Sequence, residues 1–220
     1  MLKISFPDGR TQNFEKNLNG YLIAESISKS FAKKAVAVKV NGILMDLSDS
    51  ITSDAKVEIV TLDSNEGLEI MRHTLAAQVL AKAIKNLFPN SMLAIGPTIQ
   101  DGFYYDIFFE KKISIDDFPM IEKEMRKVIE SGGRIKKHFK NKNDVLKIFK
   151  EKKENYKVQI IEDSEQRSNF QIYKQENNDF VDLCRGPHLV DLKQIGVFKL
   201  TKLAGAYWRG DSKNEMLQRI

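Results

Sequence analysis

One cysteine, three histidines, one tryptophan and five prolines are all that the 220 residues hold of those types. A single cysteine excludes an internal disulfide framework, so the chain is expected in a reducing cytoplasm. No apolar run approaches the roughly 20 residues that a membrane helix needs. The start of the chain, Met1 to Gly9, alternates and then turns, and does not read as a signal peptide. There is no internal repeat, no low-complexity tract and no Gly-rich phosphate loop. Nucleotide cradling of that kind is therefore not expected.

What is present is an ordinary globular composition. Hydrophobic residues make up 42% of the chain, enough for a real core, and the length suits a small domain plus a medium one. The net charge of +5 and pI near 9.1 favour an anionic partner. Lysines and arginines alternate with acids, so much of that charge is a solvated face.

The first sixty or so residues read as a unit of their own. Leu2–Phe6 alternates, Pro7-Asp8-Gly9 turns, and Thr11–Phe14 returns as a hairpin partner. Leu22 to Ala35 carries helical spacing through Ile23, Ile27 and Phe31. Val36–Val40, Ile43–Met45 and Val57–Thr61 read as strands. Strands, one helix and more strands predict a ubiquitin-like β-grasp over residues 1–62. Polar Asp63–Gly67 reads as a linker.

Residues 63–220 predict a larger α+β domain, an antiparallel sheet with flanking helices. Helices are expected over Leu68–Phe88, Ser114–Ile129 and Asp144–Lys152. Ser114 is the candidate N-cap of the second, with Asp117 at the capping-box position. Tyr156–Ile161, Phe170–Tyr173, Phe180–Leu183, Val197–Leu200 and Gly205–Trp208 read as strands.

Asp182-Leu183-Cys184-Arg185-Gly186-Pro187-His188 concentrates the scarce residues. A glycine lets backbone approach a ligand, and a proline stiffens the chain beside it. His73 lies upstream on the strongest helix. If His73, Cys184 and His188 meet, three chemistries are open: a zinc site, a cysteine nucleophile with a histidine base, or a metal-free pocket where histidine positions water. Spacing does not choose among them, and a lone cysteine is as readily core. Asp182 alternates with Cys184 and can share its side. Lys157 is a candidate pocket cation, and Gly96 and Tyr104 candidate cleft residues.

Six blocks occur in order: Arg72-His73, Ala94–Pro97, Asp101–Asp106, Tyr156–Val158, Asp182–His188 and Ala204–Asp211. Together they resemble the N-terminal half of bacterial-type threonyl-tRNA synthetases. The resemblance implies a TGS domain at 1–62 and an editing domain, of the second additional domain type, at 63–220. It implies hydrolysis of serine wrongly esterified to tRNA(Thr), with the serine-bearing acceptor end as partner and no membrane. The aminoacylation domain, with its ATP, Mg and zinc, would lie outside this chain, and editing itself would need no cofactor or metal. The full-length protein would be a homodimer. By resemblance His73 is a base or water-positioning group, and Lys157 meets the seryl moiety. Cys184 and His188 shape the pocket, and Asp182 is a further polar pocket residue. Gly96, Tyr104 and Arg185 would contact substrate. The family's second histidine, four residues after the first, is here Ala77, followed by Gln78. Alanine can neither take a proton nor bind a metal, so the competence of the site is in question. The alternative is a tRNA- or ligand-binding fragment with a structural zinc.

Overall fold

A computed structural model describes all 220 residues. The chain divides into two compact units, Met1–Met71 with Gly186–Val190, and Arg72–Arg185 with Asp191–Ile220.

The first unit contains β1 (Leu2–Ser5), β2 (Thr11–Phe14), β3 (Leu18–Asn19), α1 (Gly20–Ile27), α2 (Lys29–Lys34), β4 (Ala35–Val40), β5 (Ile43–Asp46), β6 (Ser50–Ile51) and β7 (Ala55–Thr61). The main sheet runs β2-β1-β7-β4-β5, with β1 and β7 parallel and the other pairs antiparallel. This is the expected β-grasp. Its core is apolar: Ile4, Ile23, Ala24, Val38 and Val57 are fully buried. The one helix expected over Leu22–Ala35 is two. Ser28 ends α1, and its Oγ accepts from Phe31 N–H at 3.0 Å to cap α2. A serine satisfies an orphan amide here better than a continued helix would.

The stretch read as a linker starts a helix, α3 (Asn65–Thr74). Ser64 Oγ accepts from Gly67 N–H at 3.0 Å. A π turn (Leu75–Leu80) and α4 (Ala81–Leu87) come next, so the helix expected over Leu68–Phe88 is present with a π segment inside it. Then come β8 (Met92–Leu93), β9 (Thr98–Ile99), β10 (Gly102–Phe103), β11 (Asp106–Phe108), α5 (Phe118–Ser131), β12 (Ile135–Lys140), α6 (Lys142–Glu151), α7 (Asn155–Asp163), β13 (Phe170–Gln175), β14 (Val181–Leu183), β15 (Ala204–Tyr207) and β16 (Met216–Arg219). The second unit is α+β with two main antiparallel sheets, β15-β16-β11-β8 and β12-β13-β14. Ser114 and Asp117 form the expected capping box, on a short 3-10 turn leading into α5.

Two readings of this half are corrected. Tyr156–Ile161 is not a strand but most of α7. Tyr156 and Ile160 join Trp208 and Leu217 in one cluster, while Val158 and Ile161 join Val145 and Phe149 in another. Spacings of four and three serve two helix faces, and tertiary packing overrides the β-prone composition. Val197–Leu200 lies outside the sheets. Leu200 N–H donates instead to Glu122 Oε1 at 2.9 Å, and Val197 is fully exposed. The basic stretch Ile135–Lys140, to which the sequence pattern assigns nothing, is β12, paired along its length with β13.

Candidate active site

The second unit carries an open cavity of about 660 Å³. Its walls come from the π turn, the loop after β8, α7, β13 and the end of β14. His73, Lys157, Asp182, Cys184, Arg185 and Gly96 all line it. A strand register places two of them. Tyr173 of β13 sits opposite Asp182 of β14, and Cys184 N–H donates to Gln171 C=O at 3.3 Å just past the paired stretch. Residues two apart in a strand share a face, so Asp182 and Cys184 both reach the cavity.

At its centre is a buried polar triad. Lys157 Nζ lies 2.8 Å from Asp182 Oδ1 and donates to the Tyr105 hydroxyl at 3.0 Å. The Tyr105 hydroxyl donates to Asp182 Oδ2 at 3.1 Å, and Leu183 N–H donates to Asp182 Oδ1 at 2.8 Å. Tyr105, Lys157 and Asp182 are respectively 1%, 4% and 1% exposed. Burial alone would lower the Lys157 pKa, but the Asp182 carboxylate and Tyr105 outweigh it and raise it above the ordinary value. Burial, and then the Asp182 charge, push the Tyr105 phenol up. Lysine is therefore held as a cation and tyrosine as a neutral donor. An ammonium has three N–H donors, and these contacts use two.

Beside the triad, Cys184 Sγ lies 2.9 Å from His73 Nε2. His73 comes from the last turn of α3, two residues before the π segment. All six residues of the π turn are buried, and such bulges recur at functional sites. It puts the Ala77 methyl on the cavity wall. Gln78 is not on that wall. Gln175 Nε2 donates to its backbone C=O at 2.7 Å and to its Oε1 at 3.3 Å. Gln78 therefore serves the core and does not replace the missing histidine.

One candidate lies elsewhere. Tyr104 is not on the cavity wall. Its ring packs 3.8 Å from the Arg219 guanidinium carbon, and Arg219 in turn pairs with Asp106 at 2.7 Å. The next residue, Tyr105, is the cavity tyrosine, and sequence reasoning missed it. Its signal is Gly96, where a Cβ would fall 2.2 Å from Tyr105 Cδ2, so only glycine admits that ring. His188 belongs to Gly186–Val190, grouped with the first unit. It is buried there, and its backbone N–H donates to Asp46 Oδ1 at 3.0 Å.

Family models match twice. Residues 2–61 match the TGS domain, and residues 171–220 match the threonyl and alanyl tRNA synthetase second additional domain. The threonine–tRNA ligase of Bartonella tribocorum is 46% identical over 220 residues, all of this chain. That of Francisella philomiragia is 47% identical over the same length, and that of Brucella canis 44%.

The whole chain is similar to threonine–tRNA ligases. It spans about a third of the length of these relatives. The second-additional-domain match takes in Asp182, Cys184 and Arg185. His73, Gly96, Tyr105 and Lys157 come from sequence before it. The cavity is thus completed by chain outside the matched segment.

Proposed function

We propose that this chain is a proofreading hydrolase that cleaves serine wrongly esterified to tRNA(Thr). The observation that carries the reading is the buried Lys157–Asp182–Tyr105 triad facing a cavity that also holds His73 and Cys184. Ester hydrolysis needs an attacking water, a base to take its proton, and a fixed positive group where the oxyanion develops. His73 is the base or water-positioning group, and Cys184 fixes its ring through Nε2. Lys157, with its remaining N–H, meets the seryl hydroxyl or the developing oxyanion. Asp182 and Tyr105 hold that ammonium in place, so little reorganisation accompanies charge development. Water is the second substrate, and no cofactor enters.

The reaction answers a real limit. Serine and threonine differ by one methyl, and such a difference supports only roughly 10–200-fold discrimination in one pocket. A second pocket that accepts the smaller ester restores fidelity. A cavity of this volume suits a seryl ester with its terminal nucleoside, within the roughly 300–1,000 Å³ usual for ligand sites.

The test is release of serine from mischarged seryl-tRNA(Thr) by the folded chain. A rate well above spontaneous hydrolysis, lost in Lys157→Met and at least tenfold lower in His73→Ala, is expected. A rate equal to the spontaneous one would overturn the reading. Stoichiometric zinc in purified protein, lost in Cys184→Ser, would favour the zinc-holding binding fragment instead.

A further inference from the structure

β12 is an edge strand with an unusual surface. Phe139 on it is 55% exposed, and Lys137 Nζ lies 5.4 Å from the centre of its ring. The register fixes where this pair points. Phe139 is opposite Gln171, Lys137 is opposite Tyr173, and Tyr173 is opposite Asp182. Directly opposed residues of antiparallel strands share a face. Phe139, Lys137, Gln171 and Asp182 therefore stand on one face of the β12-β13-β14 sheet. Gln171 and Asp182 line the cavity from this face. Phe139 lies further out along it, in solvent.

An exposed phenylalanine contributes little to a core, and a lysine beside its ring keeps the site cationic. An aromatic face with a flanking cation is the chemistry that holds single-stranded nucleic acid, the ring stacking a base and the cation meeting its phosphate. We propose that Phe139 and Lys137 form a stacking platform for a nucleobase of the single-stranded RNA end whose terminal ribose carries the ester. This deepens the proposed hydrolysis and rests on it. The ester sits among Lys157, Asp182 and His73, and the preceding nucleotide leaves along the sheet over Phe139. Phe139 is a positioning residue, because it touches neither the ester nor the attacking water.

The experiment uses the full chain with Phe139 intact, Phe139→Ala and Phe139→Trp. Affinity is measured by fluorescence anisotropy for a short unacylated RNA ending in CCA. Hydrolysis is measured on seryl-tRNA(Thr) and on a seryl ester of adenosine alone, which has no neighbouring base. Phe139→Ala is expected to weaken RNA binding and raise the KM for seryl-tRNA, each by roughly 5–150-fold. The kcat, and the rate on the adenosine ester, should not change, and Phe139→Trp should restore wild-type behaviour. Equal RNA affinity in the wild type and Phe139→Ala would overturn the platform. So would parallel loss on both esters, or failure of tryptophan to rescue. If the wild type hydrolyses neither ester, the proposed function falls. The binding arm then still decides whether Phe139 holds RNA.

Discussion

The two units bury different chemistry. The first closes around aliphatic side chains, and its buried polar residues are Asp46 and His188, joined by the His188 N–H to Asp46 contact. The second buries Lys157, Asp182, Gln78, Gln175, Glu122 and Glu154, all at 4% exposure or less. Polar groups cost free energy to bury unless they are paired, and charges cost far more. The second unit meets most of that cost with specific partners. Lys157 has Asp182 and Tyr105, Gln175 has Gln78, and Glu154 has Leu93 N–H at 2.7 Å and Lys85 at 2.8 Å. Stability alone does not call for such an interior. A charge held in place at a cavity wall is of use when charge develops during a reaction.

The sharpest way to break this contrast is to remove one member of the triad. Asp182→Ala leaves Lys157 buried without its counter-charge, and should destabilise the chain by about 3–5 kcal/mol. Replacing both, as Lys157→Met with Asp182→Leu, should recover most of that loss, because an apolar pair of similar volume is often neutral. Urea unfolding measures the first effect and serine release from seryl-tRNA(Thr) the second. The double variant is expected to be stable and inactive. A stable double variant that still hydrolyses at the wild-type rate would remove the triad from the mechanism.

A milder change probes the other side. Ile23 is fully buried in the apolar core of the first unit. Ile23→Val should cost about 0.5–1.5 kcal/mol, through one lost methyl and a small cavity. Its deacylation kcat/KM should match the wild type at a temperature where both are folded. A drop in hydrolysis comparable to that of His73→Ala would mean that the first unit also shapes the site.

Legibility in the sequence divides along the same line. The β-grasp could be read from sequence because alternation and turn residues are local signals, seen in Leu2–Phe6 with Pro7-Asp8-Gly9. The Ser114 cap is local as well. The second unit hides more because its elements serve two partners each. In α7, Tyr156 and Ile160 face one cluster, Val158 and Ile161 another, and Lys157 the triad, so the apolar pattern loses its 3.6 period and looks like a strand. In β12 the lysines mask the alternation of Ile135, Lys137 and Phe139. Tyr105 meets Lys157 and Asp182 across 52 and 77 residues of sequence. No spacing rule spans that. The adjacent Tyr104 carries the same residue type, and both lie in the connection between β10 and β11, where no periodicity separates the two.

The smallest expected effect lies on α5, away from the cavity. Burial pushes the Glu122 carboxyl up, but the Leu200 N–H and the Lys199 ammonium outweigh it and hold its pKa below the usual carboxylate range. Leu200 N–H donates to its Oε1 and Lys199 to its Oε2, both at 2.9 Å. A folded-state pKa below the unfolded one means stability that is present above the unfolded value, about 4.3, and lost as pH falls through the folded value. Glu122→Gln should therefore be less stable than the wild type at pH 7, and the gap should shrink as pH drops below about 4. Thermal melts from pH 3 to pH 7 measure it. A gap that stays constant across that range would mean that Glu122 acts through shape and neutral hydrogen bonds, not through charge. Hydrolysis at pH 7 should be the same in both, because Glu122 holds the Lys199–Leu200 segment and is not on the cavity wall.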